Sequence, residues 1–294
     1  MNLDKQRVFT VEKEGLLLPF LLEKHPQKGR NKVKAMLTRG QVMVGNSVIT
    51  KHNHALVPGD NITILNVGSL EKKAIGIGVA ILYEDEHIIV IDKPPGLLSV
   101  ATDDEKERTA FRIVNEHVQS QHPKERIFIV HRLDRETSGL MMFAKSEPIK
   151  HQLQDNWKDV VLERAYIALV EGAVENDKGT IKTWLKESNT KTMYVSRPGE
   201  GVPAITHYEV LRKNSEFSLL AVHLDTGRKN QIRAHLQSIG HSVVGDRRYG
   251  SRKNPIGRLG LHANKLSFRH PVTGETLRFE TAIPAKFKSV FAVQ

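Results

Sequence analysis

Cysteine is absent from the 294 residues, which excludes a disulfide framework, a thiolate nucleophile and zinc–thiolate coordination. The 14 histidines do not compensate. None falls in an H-E-x-x-H or comparable ligand spacing, so no metal is expected. No apolar run approaches the ~18 residues of a membrane-spanning helix. Met1-Asn2-Leu3-Asp4-Lys5-Gln6-Arg7 lacks the apolar centre of a secretory signal, and a cytoplasmic location is expected. Also missing are G-x-G-x-x-G after a strand pattern and G-x-x-x-x-G-K-S/T, the glycine-rich turns that cradle nucleotide phosphates, so no cofactor is expected. Acidic residues are scarce. The 33 Asp and Glu stand against 44 Lys and Arg, a formal net charge of +11. Such an excess points to a polyanionic partner, nucleic acid first and an acidic membrane surface second. With 39% hydrophobic residues, a chain of this length buries about three quarters of its unfolded surface in one or two domains.

Residues 1–70 read as a separate basic module, with ten Lys and Arg against five Asp and Glu. Leu16-Leu17-Leu18 and Phe20-Leu21-Leu22 suggest one helix, and Lys32 to Leu37 a second, ended by Gly40. Val42-Met43-Val44, a Gly45-Asn46 turn and Val48-Ile49 suggest a hairpin, and Val57-Pro58-Gly59-Asp60 turns the chain into Ile62-Thr63-Ile64. This order, with Arg39-Gly40-Gln41-Val42-Met43-Val44 as R-x-G-x-V-x-V, resembles the S4 RNA-binding domain. The family usually has Asn-Gly at the hairpin turn, where this chain has Gly45-Asn46. The resemblance implies RNA contacts from Lys32, Lys34 and Arg39. A solvated basic helix pair without a ligand is the plainer alternative.

Residues 71–79, within a Gly- and Lys-containing stretch of poor periodicity, read as a linker. A second domain is expected over 80–294. Ile81-Leu82-Tyr83 and His87-Ile88-Ile89-Val90-Ile91 suggest a hairpin, Thr109 to His122 an amphipathic helix and Pro148 to Trp157 another. Ala165 to Val170, His207 to Leu211 and Phe217 to Leu224 suggest strands, and Lys229 to Ile239 a helix closed by Gly240.

The string His131-Arg132-Leu133-Asp134-Arg135-Glu136-Thr137-Ser138-Gly139-Leu140 is the most informative of all. It lies between two apolar runs, Ile127 to Val130 and Leu140 to Ala144, so an Asp flanked by arginines is held between core strands. Guanidinium groups favour its ionised form, as a nucleophile or base requires. A β-turn with a capping Asp is the plainer alternative. The string resembles H-R-L-D-x-x-T-S-G-L, the catalytic motif of the RluA-type pseudouridine synthases. Three further segments match the same family in the right order. They are Asp92-Lys93-Pro94-Pro95-Gly96-Leu97, Arg164-Ala165-Tyr166-Ile167-Ala168, and Leu224-Asp225-Thr226-Gly227-Arg228-Lys229-Asn230-Gln231-Ile232-Arg233-Ala234-His235-Leu236.

The resemblance, which covers about 80 to 290, implies an α+β fold. A mixed, mainly antiparallel sheet with flanking helices would form a central RNA-binding cleft. It also implies isomerisation of a uridine in RNA to pseudouridine, with the nucleotide flipped out of its stack. Asp134 would act on the ribose, by adding to C1′ or taking a proton from C2′. Tyr166 would stack on the base and assist proton transfer at C5. Arg233, inward on its helix, would hold Asp134 ionised. Arg132 would fill the site the base vacates, and Arg228, Lys229 and Lys93 would meet RNA phosphates. His131 reads as a structural hydrogen-bonder. Ribosomal RNA is the expected substrate, with transfer RNA as the alternative. A non-catalytic RNA-binding protein and a DNA-binding regulator are the rival classes.

Overall fold

The computed structural model describes residues 7–27, 29–38, 42–45, 47–49, 51–64, 73–76 and 78–292. Contacts divide the chain into two units, Met1–Ser69 and Leu70–Gln294.

In the first unit, helices Leu17–Lys24 and Arg30–Thr38 bury Leu17, Leu18, Leu21, Val33 and Leu37. These pack against Val42 and Ile62 of a four-stranded antiparallel sheet, order Arg7–Thr10, Asn61–Ile64, Val42–Val44, Ser47–Val48. The hairpin turns at Gly45, whose φ of 56° is least costly for a residue without Cβ. Arg39 and Asn46 lie outside the described residues, as does the side chain of Lys32. Lys34 is exposed on the second helix.

The second unit is built on one twelve-stranded sheet. Its order runs from Met193–Ser196 through Lys178–Glu187, Val202–Lys213, Phe217–Leu224, Val161–Glu171 and Leu261–Arg269. It continues through Ser138–Ala144, Ile88–Lys93 and Val79–Glu84 to Lys73–Ile75, while two strands off this path, Phe128–Ile129 and Thr276–Glu280, pair with Ser138–Ala144 and Leu261–Arg269. That last strand lies inside the stretch read as a linker and pairs with Val79 to Ile81. Among the described residues the sheet's ladders are antiparallel except one: Ser138–Ala144 runs parallel to Leu261–Arg269. The sheet is thus mixed and mainly antiparallel, as expected.

The parallel pair joins two halves, and its geometry explains much of the T-S-G string. One edge of Ser138–Ala144 follows Ile88–Lys93 along its full length. The other edge is shared: Ser138 and Gly139 meet His262 and Ala263, while Phe143 and Ala144 meet Ile129 and Phe128. Gly139 has φ 116°, and a Cβ there would lie 2.1 Å from the Ala263 carbonyl oxygen. Only glycine lets the halves close here. Beside it, Ser138 Oγ shares a hydrogen bond with His262 Nδ1 (2.7 Å) and accepts one from Arg258 Nη2 (2.7 Å). Among the described residues no helix is long and apolar enough to cross a membrane.

Candidate active site

Asp134 sits in the loop that enters Ser138–Ala144, and the loop is braced on both sides. Ser99 Oγ donates to the Leu133 carbonyl (2.7 Å) and accepts from the Leu133 N–H (3.1 Å). Gly96 N–H donates to the Arg135 carbonyl (2.9 Å), and Arg135 Nε returns a bond to the Gly96 carbonyl (3.1 Å). Lys93 completes the brace and corrects an expectation. Expected to meet RNA, it is fully buried, its Nζ donating to the carbonyls of Leu97 (2.7 Å), Arg135 (3.0 Å) and Pro94 (3.1 Å). Prolines and a glycine turn this segment so that its carbonyls converge on one ammonium. Burial lowers the Lys93 pKa to about 8, against the pull of Glu136 and Asp134.

The Asp134 side chain faces a cleft of about 450 Å³ walled by Arg132, Arg164, Tyr166, Arg228, Lys229 and Arg233 among others. Asp134 Oδ2 accepts from Asn230 Nδ2 (2.5 Å) and Arg233 Nη1 (3.2 Å). Oδ1 has no partner among the described residues. Arg233, inward as expected, makes its stronger bonds elsewhere: Nε and Nη2 grip Asp246 at 2.6 and 2.8 Å. Asp246 is only 2% exposed, against 33% for Asp134. The guanidinium also lies over the Tyr249 ring, 4.7 Å from its centroid. Burial opposes its charge, yet Asp246 and then Asp134 hold the Arg233 pKa above the usual arginine value.

The helix carrying Arg233 spans Gln231–Ser238, two residues later than expected, because Asn230 adopts the left-handed conformation (φ 49°, ψ 22°). The preceding turn is closed by Gln231. Its Oε1 accepts from Arg228 N–H (3.0 Å) and Thr226 Oγ1 (2.8 Å), and its Nε2 donates to the Ile205 carbonyl (2.9 Å). The Arg228 N–H is therefore not available to a phosphate. Lys229 forms an ion pair with Glu187, and Arg228 Nε donates to the Pro203 carbonyl (3.3 Å). Arg132 is exposed on the cleft wall.

Sequence reasoning missed Asn230, Asp246 and Tyr249. Asn230 Oδ1 accepts from Tyr249 Oη (3.3 Å), which itself accepts from the Met193 N–H (3.0 Å). A backbone amide of one strand thus fixes the amide that fixes Asp134. Asp246 lies beyond the matched segments, and nothing local ties it to Arg233.

Tyr166, on the strand Val161–Glu171, packs against core clusters of both halves. Burial raises its pKa; Arg164 lowers it and Asp134 raises it. His131 accepts the Met142 N–H at Nε2 (3.1 Å). Burial and then the charge of Arg164 depress its pKa to about 3. It is a neutral acceptor, not an acid. No group of His, Asp or Glu among the described residues is arranged to hold a metal ion. The cleft can bind an anionic ligand, stack an aromatic one and present a carboxylate to it.

A family model described as RNA pseudouridylate synthase matches residues 87–238. A protein of Aquifex aeolicus named an uncharacterized RNA pseudouridine synthase is 35% identical over 99% of this chain and 98% of its own length. The ribosomal large subunit pseudouridine synthase D of Neisseria meningitidis is 33% identical over 92% of this chain and 76% of its own. The structure of human RNA pseudouridylate synthase domain containing 1 superposes with a TM-score of 0.55 at 25% identity, covering 73% of this chain and 85% of that one. A model spanning half the chain, and relatives a third identical along most of it, place this protein in one family: it is an RNA pseudouridine synthase, an enzyme that isomerises uridine within RNA.

Proposed function

We propose that Asp134, Tyr166 and Arg233 carry this isomerisation and that the substrate is ribosomal RNA. The reaction balances within one nucleotide. The N1–C1′ bond breaks, the uracil turns, a C5–C1′ bond forms, C5 loses its proton and N1 gains one. A base within a stack cannot turn, so the cleft takes a flipped nucleotide. Asp134 acts on the ribose, by addition at C1′ or by removing the C2′ proton. Tyr166 supports the base and assists proton transfer at C5, and Arg233 keeps Asp134 charged and oriented. Arg132 fills the vacated place in the RNA.

The observation that carries this reading is the state of Asp134. Its Oδ2 is tethered twice while Oδ1 has no partner among the described residues, on the wall of the cleft that also holds Tyr166. Asp134→Asn is expected to abolish tritium release from C5-labelled uridine in RNA, with melting temperature and RNA affinity near wild type. Turnover within about tenfold of wild type would overturn the assignment.

The ribosomal substrate is supported by the relative named for the large subunit, and by a basic N-terminal unit whose helix-helix-hairpin order fits an S4-like RNA-binding domain over residues 1–70. The catalytic domain then follows over 80–294, in the cytoplasm. Pseudouridine mapping of RNA from cells lacking the gene tests the substrate. A uridine left unmodified in ribosomal RNA is expected; one in transfer RNA instead would replace this reading.

A further inference from the structure

Arg164 stands on the cleft wall two residues before Tyr166 on the same strand. Side chains so spaced share one face, about 6.7 Å apart. The Trp157 ring lies under its guanidinium, with Cζ 5.3 Å from the ring centroid. Trp157 leans in turn on His131, ring to ring at 5.2 Å. On another side is Gly227, where a Cβ would fall 2.8 Å from Arg164 Nη1 and 3.1 Å from Nη2. Gly227 is not among the residues with positive φ, so its backbone does not require glycine. In this arrangement the guanidinium fills the space that a side chain at 227 would take. The Arg164 head group therefore lies over an indole and beside a bare stretch of backbone.

Three other cations of this cleft already have protein partners. Arg233 holds Asp246 and Asp134, Lys229 holds Glu187, and Arg228 reaches the Pro203 carbonyl. The Arg164 guanidinium has neither a carboxylate nor a carbonyl partner among the described residues. A positioned, half-buried guanidinium without a counterion is a site for an anion, and its planar fork fits a phosphodiester. His131 adds no competing charge there, being held neutral. Tyr166 and Arg164 thus stand side by side on one wall of the cleft.

We infer that Arg164 binds the phosphodiester of the uridine that enters the cleft, with Trp157 and Gly227 holding the guanidinium in place. This rests on the isomerase reading only for what lies beside Tyr166.

The test uses the full chain and a fluorescein-labelled decauridylate, titrated by anisotropy from 50 to 300 mM KCl. Arg164→Gln is expected to weaken binding about tenfold at low salt and to reduce the log–log salt slope by about 0.7, one single-strand phosphate contact. Arg164→Lys should keep the slope, because the charge remains. If Gln and Lys variants lose affinity alike with the slope unchanged, Arg164 only packs on Trp157, and the phosphate site is wrong. The isomerase reading is measured separately, by tritium release from C5-labelled RNA. There Arg164→Gln should raise KM with kcat within a few-fold; a loss confined to kcat would overturn the inference. Absence of tritium release by wild type, with the slope still responding, would remove the isomerase reading and leave the phosphate site standing.

Discussion

Three side chains define what can be measured residue by residue. Asn230 holds Asp134 through a bond of 2.5 Å and does so from a left-handed backbone. Asn230→Gly keeps that conformation and deletes the amide. It should lower kcat about tenfold to a hundredfold, the worth of a hydrogen bond to a charged group, while thermal stability hardly changes. An unchanged kcat would mean Arg233 alone suffices to orient Asp134. Lys93 is the second. Its folded pKa, about 8, lies below the 10.5 of an exposed lysine, so the unfolded chain binds more protons between these values. Stability contributed by this group is therefore lost as pH falls through about 8 and recovered as pH rises toward 10.5. Lys93→Met removes the titration. Compared across pH 7 to 10.5 by denaturant unfolding, wild type should gain on the variant by roughly 3 kcal/mol. A pH-independent difference would show that the ammonium is not buried. Tyr166→Phe should cut kcat more than it weakens RNA binding, since the ring still stacks without its hydroxyl; equal losses would contradict that division.

At the level of elements, the decisive contact is the parallel pair between Ser138–Ala144 and Leu261–Arg269. It sets the loop of Asp134 beside the strand of Tyr166, which pairs with the far side of Leu261–Arg269. Gly139→Ala forces a Cβ onto a carbonyl and an L-residue to φ 116°. The variant should lose at least about 3 kcal/mol of stability by denaturant unfolding, and activity with it. A variant that unfolds like wild type would mean the halves can separate there without penalty. Other elements were legible locally. Thr109 caps Ala110–Gln121 by accepting the Arg112 N–H (3.1 Å), as its place before an amphipathic run suggests. The strands Lys178–Glu187, Met193–Ser196 and Leu261–Arg269 escaped sequence reading. Lys178–Glu187 puts lysines on one face and only Ile181 and Leu185 deep in the core, a weak alternation, and its strand state depends on partners up to 31 residues away.

For the whole molecule, the two units make a prediction about charge. Removal of residues 1–70 should leave a folded protein that still releases tritium from C5-labelled RNA. Its RNA binding should be weaker and less salt-dependent, because each phosphate contact given up lowers the log–log slope by about 0.7 to 0.9. The loss should appear in KM more than in kcat. An unchanged slope would show that the basic N-terminal unit does not touch RNA, and the S4-like reading would be withdrawn.

The reading of the sequence identified the family, because its motifs are contiguous strings, and through that resemblance the mainly antiparallel sheet. Asp134, Tyr166 and Arg233 each belong to a run of residues whose order alone is specific. Tertiary structure decided what those side chains touch. Lys93 looked like one more cation near a loop until the fold wrapped three carbonyls around it. Arg233 was legible as inward-facing, but its principal partner, Asp246, is 13 residues away in sequence and was set by the loop that follows the helix. Asn230 and Tyr249 became a support for Asp134 only when the helix start, the turn at 247–249 and the strand at Met193 met. Hydrogen bonds between distant segments depend on where packing brings backbones together, and no local pattern records that.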